Sequence, residues 1–139
     1  MSGKLMEYFN KQPRLGVIST SSKNGNVDCA VYGSPQMIDE KTVIVAFARG
    51  RTFANLEQNP CAVFMIMEPG TGILDWKGIR VYLKMLEFAT SGPKLDAYKS
   101  QMAKIMGEQA AGMIGVLATF EVTEFRPLID FGQGWKRAI

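Results

Sequence analysis

The sequence predicts a mainly β domain, a closed antiparallel barrel of roughly six strands carrying three short helices. Three observations point there. Apolar, β-branched runs of strand length recur along the chain, as in Thr42–Phe47 (TVIVAF) and Cys61–Met67 (CAVFMIM). The first strands are joined by turns too short for the crossover that a parallel pair requires, so they form an antiparallel meander. A chain of 139 residues supports one core, and closing its sheet is the common way to leave no strand edge exposed.

Taken in order, Lys4–Gln12 places Leu5, Met6, Tyr8 and Phe9 near one helical face, and Pro13 ends that helix. Leu15–Ser21 reads as a strand, Lys23-Asn24-Gly25-Asn26 as an Asn-Gly hairpin turn and Val27–Tyr32 as the partner strand. Gly33-Ser34-Pro35 breaks or bulges that strand, and Gln36–Ile38 resumes it. Asp39-Glu40-Lys41 turns into Thr42–Phe47, an apolar run that reads as buried on both faces. A basic turn, Arg49-Gly50-Arg51-Thr52, opens a short helix over Phe53–Glu57 that stops before Asn59-Pro60. Cys61–Met67 is the next strand, and Glu68–Gly72 is a loop whose two glycines permit close backbone approach. Ile73–Phe88 reads as a long strand with Gly78 as its bulge. A helix from Lys94 to about Glu108 carries Leu95, Tyr98, Met102, Ile105 and Met106 as one stripe, expected to lie on the barrel. Met113–Phe125 is the last strand, with Val116, Ala118, Phe120 and Val122 on one face. No repeat, linker or low-complexity segment divides the chain, so residues 1–139 are read as a single domain.

Composition narrows the chemistry. With 47% hydrophobic and 21% charged residues and a net charge of +3, the chain has no basic stripe of the kind that binds nucleic acid. No apolar run has the length of a membrane span, and charges sit where a signal peptide has its apolar centre, so a cytoplasmic location is expected. Cys29 and Cys61 lie far apart in apolar settings and read as buried thiols. Histidine is absent altogether. That removes most zinc sites, the Ser-His and Cys-His nucleophile systems and the usual proton shuttle near neutral pH. No metal site is expected, and chemistry must come from a cofactor or from carboxylate, lysine and tyrosine groups.

The basic turn is the most informative stretch. A strand that runs into Arg49-Gly50-Arg51-Thr52 and then a helix start makes an anion site, because free N–H groups and the positive helix end face the ligand. Arg49 and Arg51 add charge-assisted bonds to phosphate oxygens, and Thr52 serves as N-cap or phosphate donor. An ordinary capped helix with solvated arginines is the competing reading.

The ordered set of a first helix, a GVIST strand, an Asn-Gly turn, the Val27–Met37 strand and TVIVAFARGRTFANLEQNPCAVFMIM resembles a known family. It is the flavin-binding split-barrel family that includes pyridoxamine 5′-phosphate oxidase and the small FMN-binding proteins. The resemblance covers about residues 5–125 and is most specific at 43–63; the Pro-Gly-Thr-Gly loop at 69–72 looks like the smaller FMN-binding members. It implies a six-stranded split β-barrel and a homodimer with FMN in the groove between subunits. It implies oxidoreductase or electron-transfer activity with an unidentified redox donor and acceptor. It further implies that Arg49, Arg51 and Thr52 bind the FMN phosphate. Asp28, Cys29 and Ala30 would lie on the strand beside the isoalloxazine ring, and Pro69, Gly70, Thr71 and Gly72 would sit near the flavin as a loop. The segment Arg126–Gly134 resembles the C-terminal part of pyridoxamine 5′-phosphate oxidase, but the Arg-x-His pair that follows it there has no counterpart here. Vitamin oxidation is therefore not expected, and the same gap argues against heme held by histidine. The alternatives are a split barrel holding a deazaflavin or heme, and a flavin storage or sensing module without turnover.

Other salient residues have structural readings beside functional ones. Trp76 and Trp135 suit a flavin stack or, more simply, a core or interface. Lys77 and Arg80 suit an anion or a solvated strand face, and Tyr32 is the phenol nearest the presumed flavin strand. Phe64, Met65, Met67, Trp76, Met85, Phe88 and Trp135 exceed what one small core needs, since successive strand residues face opposite sides. That surplus points to a two-fold dimer.

Overall fold

A computed structural model describes residues 2–139. Its first helix, α1 (Ser2–Asn10), is followed by β1 (Leu15–Ser21), β2 (Val27–Val31), β3 (Gln36–Asp39) and β4 (Thr42–Phe47). Helix α2 (Arg51–Gln58), β5 (Cys61–Glu68) and β6 (Lys77–Ala89) come next, then α3 (Pro93–Met106), α4 (Glu108–Gly112), β7 (Val116–Pro127) and a closing 3-10 turn at Trp135–Ala138. The strands make one antiparallel sheet in the order β2-β1-β5-β6-β7-β4-β3. Alternation decides which side chains enter the core. Ile18, Phe64, Ile66, Ile79, Val81, Val116, Ala118 and Phe120 are buried from one face of this sheet, and Leu5 and Phe9 of α1 join them. Phe9 and Phe64 meet with ring centroids 5.4 Å apart.

The sheet has seven strands rather than six, and it is not closed. Among the described residues β2 pairs only with β1 and β3 only with β4, so these two are its edges. Pro35 has no N–H to give a ladder, and the break at Gly33-Ser34-Pro35 splits one expected strand into two. The short link Tyr32–Pro35 carries the chain from one edge to the other. Tyr32 N–H still donates to Gly16 O at 3.0 Å, whereas Ser34 Oγ donates to Ala46 O at 2.6 Å on β4. Arg14 fastens the link to α1, donating to Gly33 O at 2.9 Å, Pro35 O at 2.8 Å and Phe9 O at 2.5 Å.

Other expectations are corrected by particular contacts. The long strand begins at Lys77 instead of Ile73, because Asp75 accepts bonds from Thr71 and Gly72 and winds residues 70–76 into a compact loop. Gly78 is not a bulge; it pairs in register with Met67, while the register shifts fall at Tyr82/Leu83 and Met85/Glu87. With φ at +150° and the Ile66 carbonyl where a Cβ would stand, position 78 requires glycine all the same. The second long helix ends at Met106, where Gly107 takes φ +89° and starts the separate turn of α4. Its apolar stripe covers the sheet only in part, with Tyr98 and Met102 half-buried against a cleft and the far end left open. Only Leu95 is buried, and Ile105 is 74% exposed. The last strand starts at Val116, not Met113. The cysteines are exposed rather than buried, since Cys29 faces out from an edge strand and Cys61 opens β5. Among the described residues no helix is long and apolar enough to cross a membrane.

Candidate functional site

Helix α2 is held so that its N-terminus has a fixed place. Phe53 packs between Phe47 and Phe88, at centroid distances of 5.8 and 4.9 Å. Asn55 Nδ2 donates to Thr20 Oγ1 at 3.1 Å in a buried bond that ties the helix to β1. A buried amide with a partner costs little, and one without it would cost about 1–3 kcal/mol, so this contact sets the helix orientation.

The N-cap is Gly50, which has no side chain to offer the free N–H groups, and no side-chain cap is made. Thr52 is therefore not the N-cap. It lies within the first turn and is buried. The leading N–H groups of α2 remain available to an anion. On one side of them Arg49 runs over Gly115, where an added Cβ would stand 3.0 Å from Arg49 Cγ, and its Nη2 donates to Thr90 O at 3.0 Å. On the other side Arg51 Nη1 lies 3.9 Å from Asp28 Oδ1 on β2. The structure thus brings Arg51 and Asp28 together at the helix start that Thr52 shares, with Cys29 and Ala30 next along the same strand, while Arg49, two residues before, reaches toward Thr90. The carboxylate facing Arg51 is a neighbour that the sequence pattern alone does not reveal.

Pro69, Gly70, Thr71 and Gly72 are not part of this cluster. They follow β5 at the end where Met67 pairs with Leu15, whereas Asp28 pairs with Thr20. Those positions on β1 are about 17 Å apart at roughly 3.4 Å per residue. The loop is rigid in its own right. Asp75 accepts from Thr71 N at 2.9 Å, Thr71 Oγ1 at 2.7 Å and Gly72 N at 2.8 Å, and Trp76 Nε1 donates to Gly72 O at 2.9 Å. These bonds, the Thr71 hydroxyl first, lower the Asp75 carboxyl to about 2. The loop leaves Ile73 and Leu74 exposed at its tip.

A cleft of about 610 Å³ adjoins the basic turn through Ile114, the neighbour of Gly115, and is walled by Val31, Tyr32, Tyr98, Met102 and Ile105. Its α3 wall was legible as an apolar stripe, although the stripe's place beside β2 was not. A second cleft of about 530 Å³ lies beside Pro69, with Tyr8, Lys11, Arg14 and Glu68 on its wall. Tyr8 donates its hydroxyl to Glu68, and burial together with that bond raises the phenol well above its ordinary value. Trp135 packs on Phe125 at 5.6 Å and covers the barrel flank, in line with its structural reading. Arg80 is paired with Asp130 at 3.0 Å and Arg126 Nε donates to the same carboxylate at 2.7 Å, so this pair of arginines fixes the C-terminal tail.

No family model and no curated protein sequence matches the chain. Solved structures do. An FMN-binding protein from Syntrophomonas wolfei subsp. wolfei is 24% identical, with a TM-score of 0.76 over 91% of this chain and 85% of that one. A putative pyridoxamine 5′-phosphate oxidase from Lactobacillus delbrueckii is 14% identical, with a TM-score of 0.65 over 90% and 92%. HutZ, the heme storage protein from Vibrio cholerae, is 15% identical, with a TM-score of 0.63 over 88% and 91%. The fold is that of the FMN-binding, pyridoxamine 5′-phosphate oxidase-like split-barrel proteins. Because the same fold serves an FMN-binding protein and a heme storage protein, the cofactor has to be argued from this chain's own residues.

Proposed function

We propose that the chain is a flavoprotein that binds FMN, with the phosphate at the Arg49–Arg51 turn and the flat ring along β2, and that it serves oxidoreduction or electron transfer as a homodimer. The observation that carries this reading is an uncapped helix N-terminus flanked by two arginines and set beside the free edge of β2. The donor set fits a phosphate: backbone N–H groups supply short bonds, and the guanidinium groups supply charge. Cys29 and Ala30 are small enough for a planar ring to lie against the strand. Bound flavin supplies one- and two-electron chemistry, and the chain's part is to hold the phosphate and orient the ring. A heme is less well served, because no histidine exists to ligate its iron.

The Pro69–Gly72 loop fits the same reading if it reaches the flavin from a second copy, since it lies too far along β1 from the turn of its own chain. The exposed end of the α3 stripe, Ile105 and Met106, gives that copy an apolar surface to cover.

An absorption spectrum of the purified protein, with mass identification of the released ligand, is the direct test. An oxidised-flavin spectrum and the mass of FMN are expected, and a deazaflavin or heme in their place would overturn the assignment. Arg49→Ala and Arg51→Ala should each weaken FMN binding by about one to two decades, because a charged hydrogen bond contributes roughly 1.5–3 kcal/mol. Both should leave the melting temperature of the apo-protein nearly unchanged. Riboflavin, which lacks the phosphate, should bind more weakly and be almost indifferent to either substitution. Unchanged FMN affinity in both variants would remove the phosphate from this turn.

A further inference from the structure

The loop between β5 and β6 has a tip ill suited to water. Residues Pro69–Leu74 carry no charge, and Ile73 and Leu74 stand 86% and 64% exposed, where a surface loop is normally polar. The tip is nonetheless rigid. Asp75 turns its carboxylate back onto Thr71 and Gly72, and Trp76 donates to the Gly72 carbonyl, so the shape is fixed before anything meets it. An apolar group held in this way loses little further freedom on docking and keeps most of the gain from burial. The same chain carries a hollow of matching chemistry. The cleft of about 610 Å³ between α3 and the Tyr32–Pro35 link has Val31, Tyr98, Met102 and Ile105 on its walls and no charged side chain. Other clefts each carry at least one: Glu68 beside Pro69, Lys84 on β6 and Lys77 beside the tail. An uncharged hollow takes in an apolar group without stranding a charge away from water. None of residues 69–76 lines it, so the chain's own tip does not fill it.

We propose that two copies of the chain exchange tips: the Ile73–Leu74 tip of each seats in the α3 cleft of the other. The valency of the molecule selects a second copy as the occupant. Each chain offers one such tip and one such cleft, and a two-fold arrangement fills both at once and closes. One-way docking instead leaves an open tip at one end and an open cleft at the other, and it grows into filaments. The exchange also sets the Pro69–Gly72 loop of one copy at the Val31 end of the other's β2, along which the proposed ring lies, so each site is completed by a second chain. The loop's part in the site rests on the flavin reading, whereas the exchange itself needs no ligand.

The test is sedimentation of the full chain without ligand across a dilution series, joined to cross-linking. The wild type should form a dimer and nothing larger. Leu74→Asp on the tip and Met102→Asp on the cleft wall should each raise the dissociation constant by about tenfold or more. Leu74 is exposed in a single copy, so its variant should keep native circular dichroism. For the cross-link, Cys29→Ser and Cys61→Ser remove the native thiols, and Leu74→Cys and Met102→Cys are placed on separate chains. Mixed with a short bismaleimide, the two should link to each other, and either alone should link far less. Filaments in place of dimers, links between like chains only, or a native Leu74→Asp protein that dimerises as the wild type does would each overturn the exchange. Titration with FMN separates the two readings. A chain that binds FMN while remaining monomeric overturns the exchange and leaves the phosphate turn standing. A dimer that links unlike chains and has no affinity for FMN upholds the exchange and overturns the flavin reading.

Discussion

At the scale of single residues, exposure decides behaviour that composition leaves open. Cys29 and Cys61 both face solvent, so neither is sheltered from reagents in the folded protein. A thiol reagent should label both without denaturant, at rates near those of the unfolded chain. Saturating FMN should then slow Cys29 selectively, because that residue stands next to Asp28 on the strand proposed to border the ring. Cys61 should react as before. Equal rates with and without FMN would separate the ring from β2. The apolar neighbours of each cysteine made burial the natural inference, but an edge strand presents alternate residues to water whatever their neighbours are.

Among the elements, those with an apolar run or a strict alternation were legible, and those set by contacts between distant residues were not. β4 and β5 declare themselves as continuous apolar runs, and the buried set of β7 is the alternation at Val116, Ala118 and Phe120. The basic turn was legible from its arginines and glycine, whereas its facing carboxylate depends on the register of β2 against β1. Ile73 and Leu74 imitate a strand start, yet the chain there is governed by hydrogen bonds from Thr71 and Gly72 to Asp75 that no periodicity encodes. This loop also has a definite pH response. Its carboxyl is lowered from 3.8 to about 2 by those bonds, so its stabilising effect is complete above pH 3.8 and disappears as pH falls through about 2. Trp76, bonded to Gly72, reports the change. Its fluorescence should stay constant down to about pH 4 and shift between there and pH 2. Asp75→Asn should show the shifted signal already at neutral pH and no acid transition, and a variant with the wild type's neutral signal and acid transition would exclude the loop as the source.

For the whole molecule, the α3 stripe has physical weight. A helix with Ile105 and Met106 exposed, followed by an exposed Met113, leaves a face that one copy does not cover. If that face is the seam of the proposed dimer, Ile105→Glu should raise the dimer dissociation constant at least tenfold, since a buried side chain of this size contributes about 1.5–3 kcal/mol. FMN should shift the equilibrium back by mass action, because a ligand touching both subunits stabilises the assembled form. Sedimentation across a dilution series, with and without FMN, reads both effects. An Ile105→Glu protein that dimerises like the wild type would place the seam elsewhere.

The two sheet edges differ in one further respect. Asn10 of α1 donates to Met37 O at 2.9 Å and accepts from Met37 N at 2.8 Å, so its amide occupies a main-chain position on the free side of β3. β2 has no comparable guard among the described residues, and its outward row includes Val27 and Val31 at 82% and 68% exposure. In polymer terms the fold is monovalent for strand addition. A strand added at β2 brings no second open edge with it, so addition there does not propagate, whichever face forms the seam of the proposed dimer. Asn10→Ala should raise that valency to two. At high concentration the variant should scatter light progressively where the wild type does not, and equal scattering from both would show that β3 is guarded by something other than this one amide.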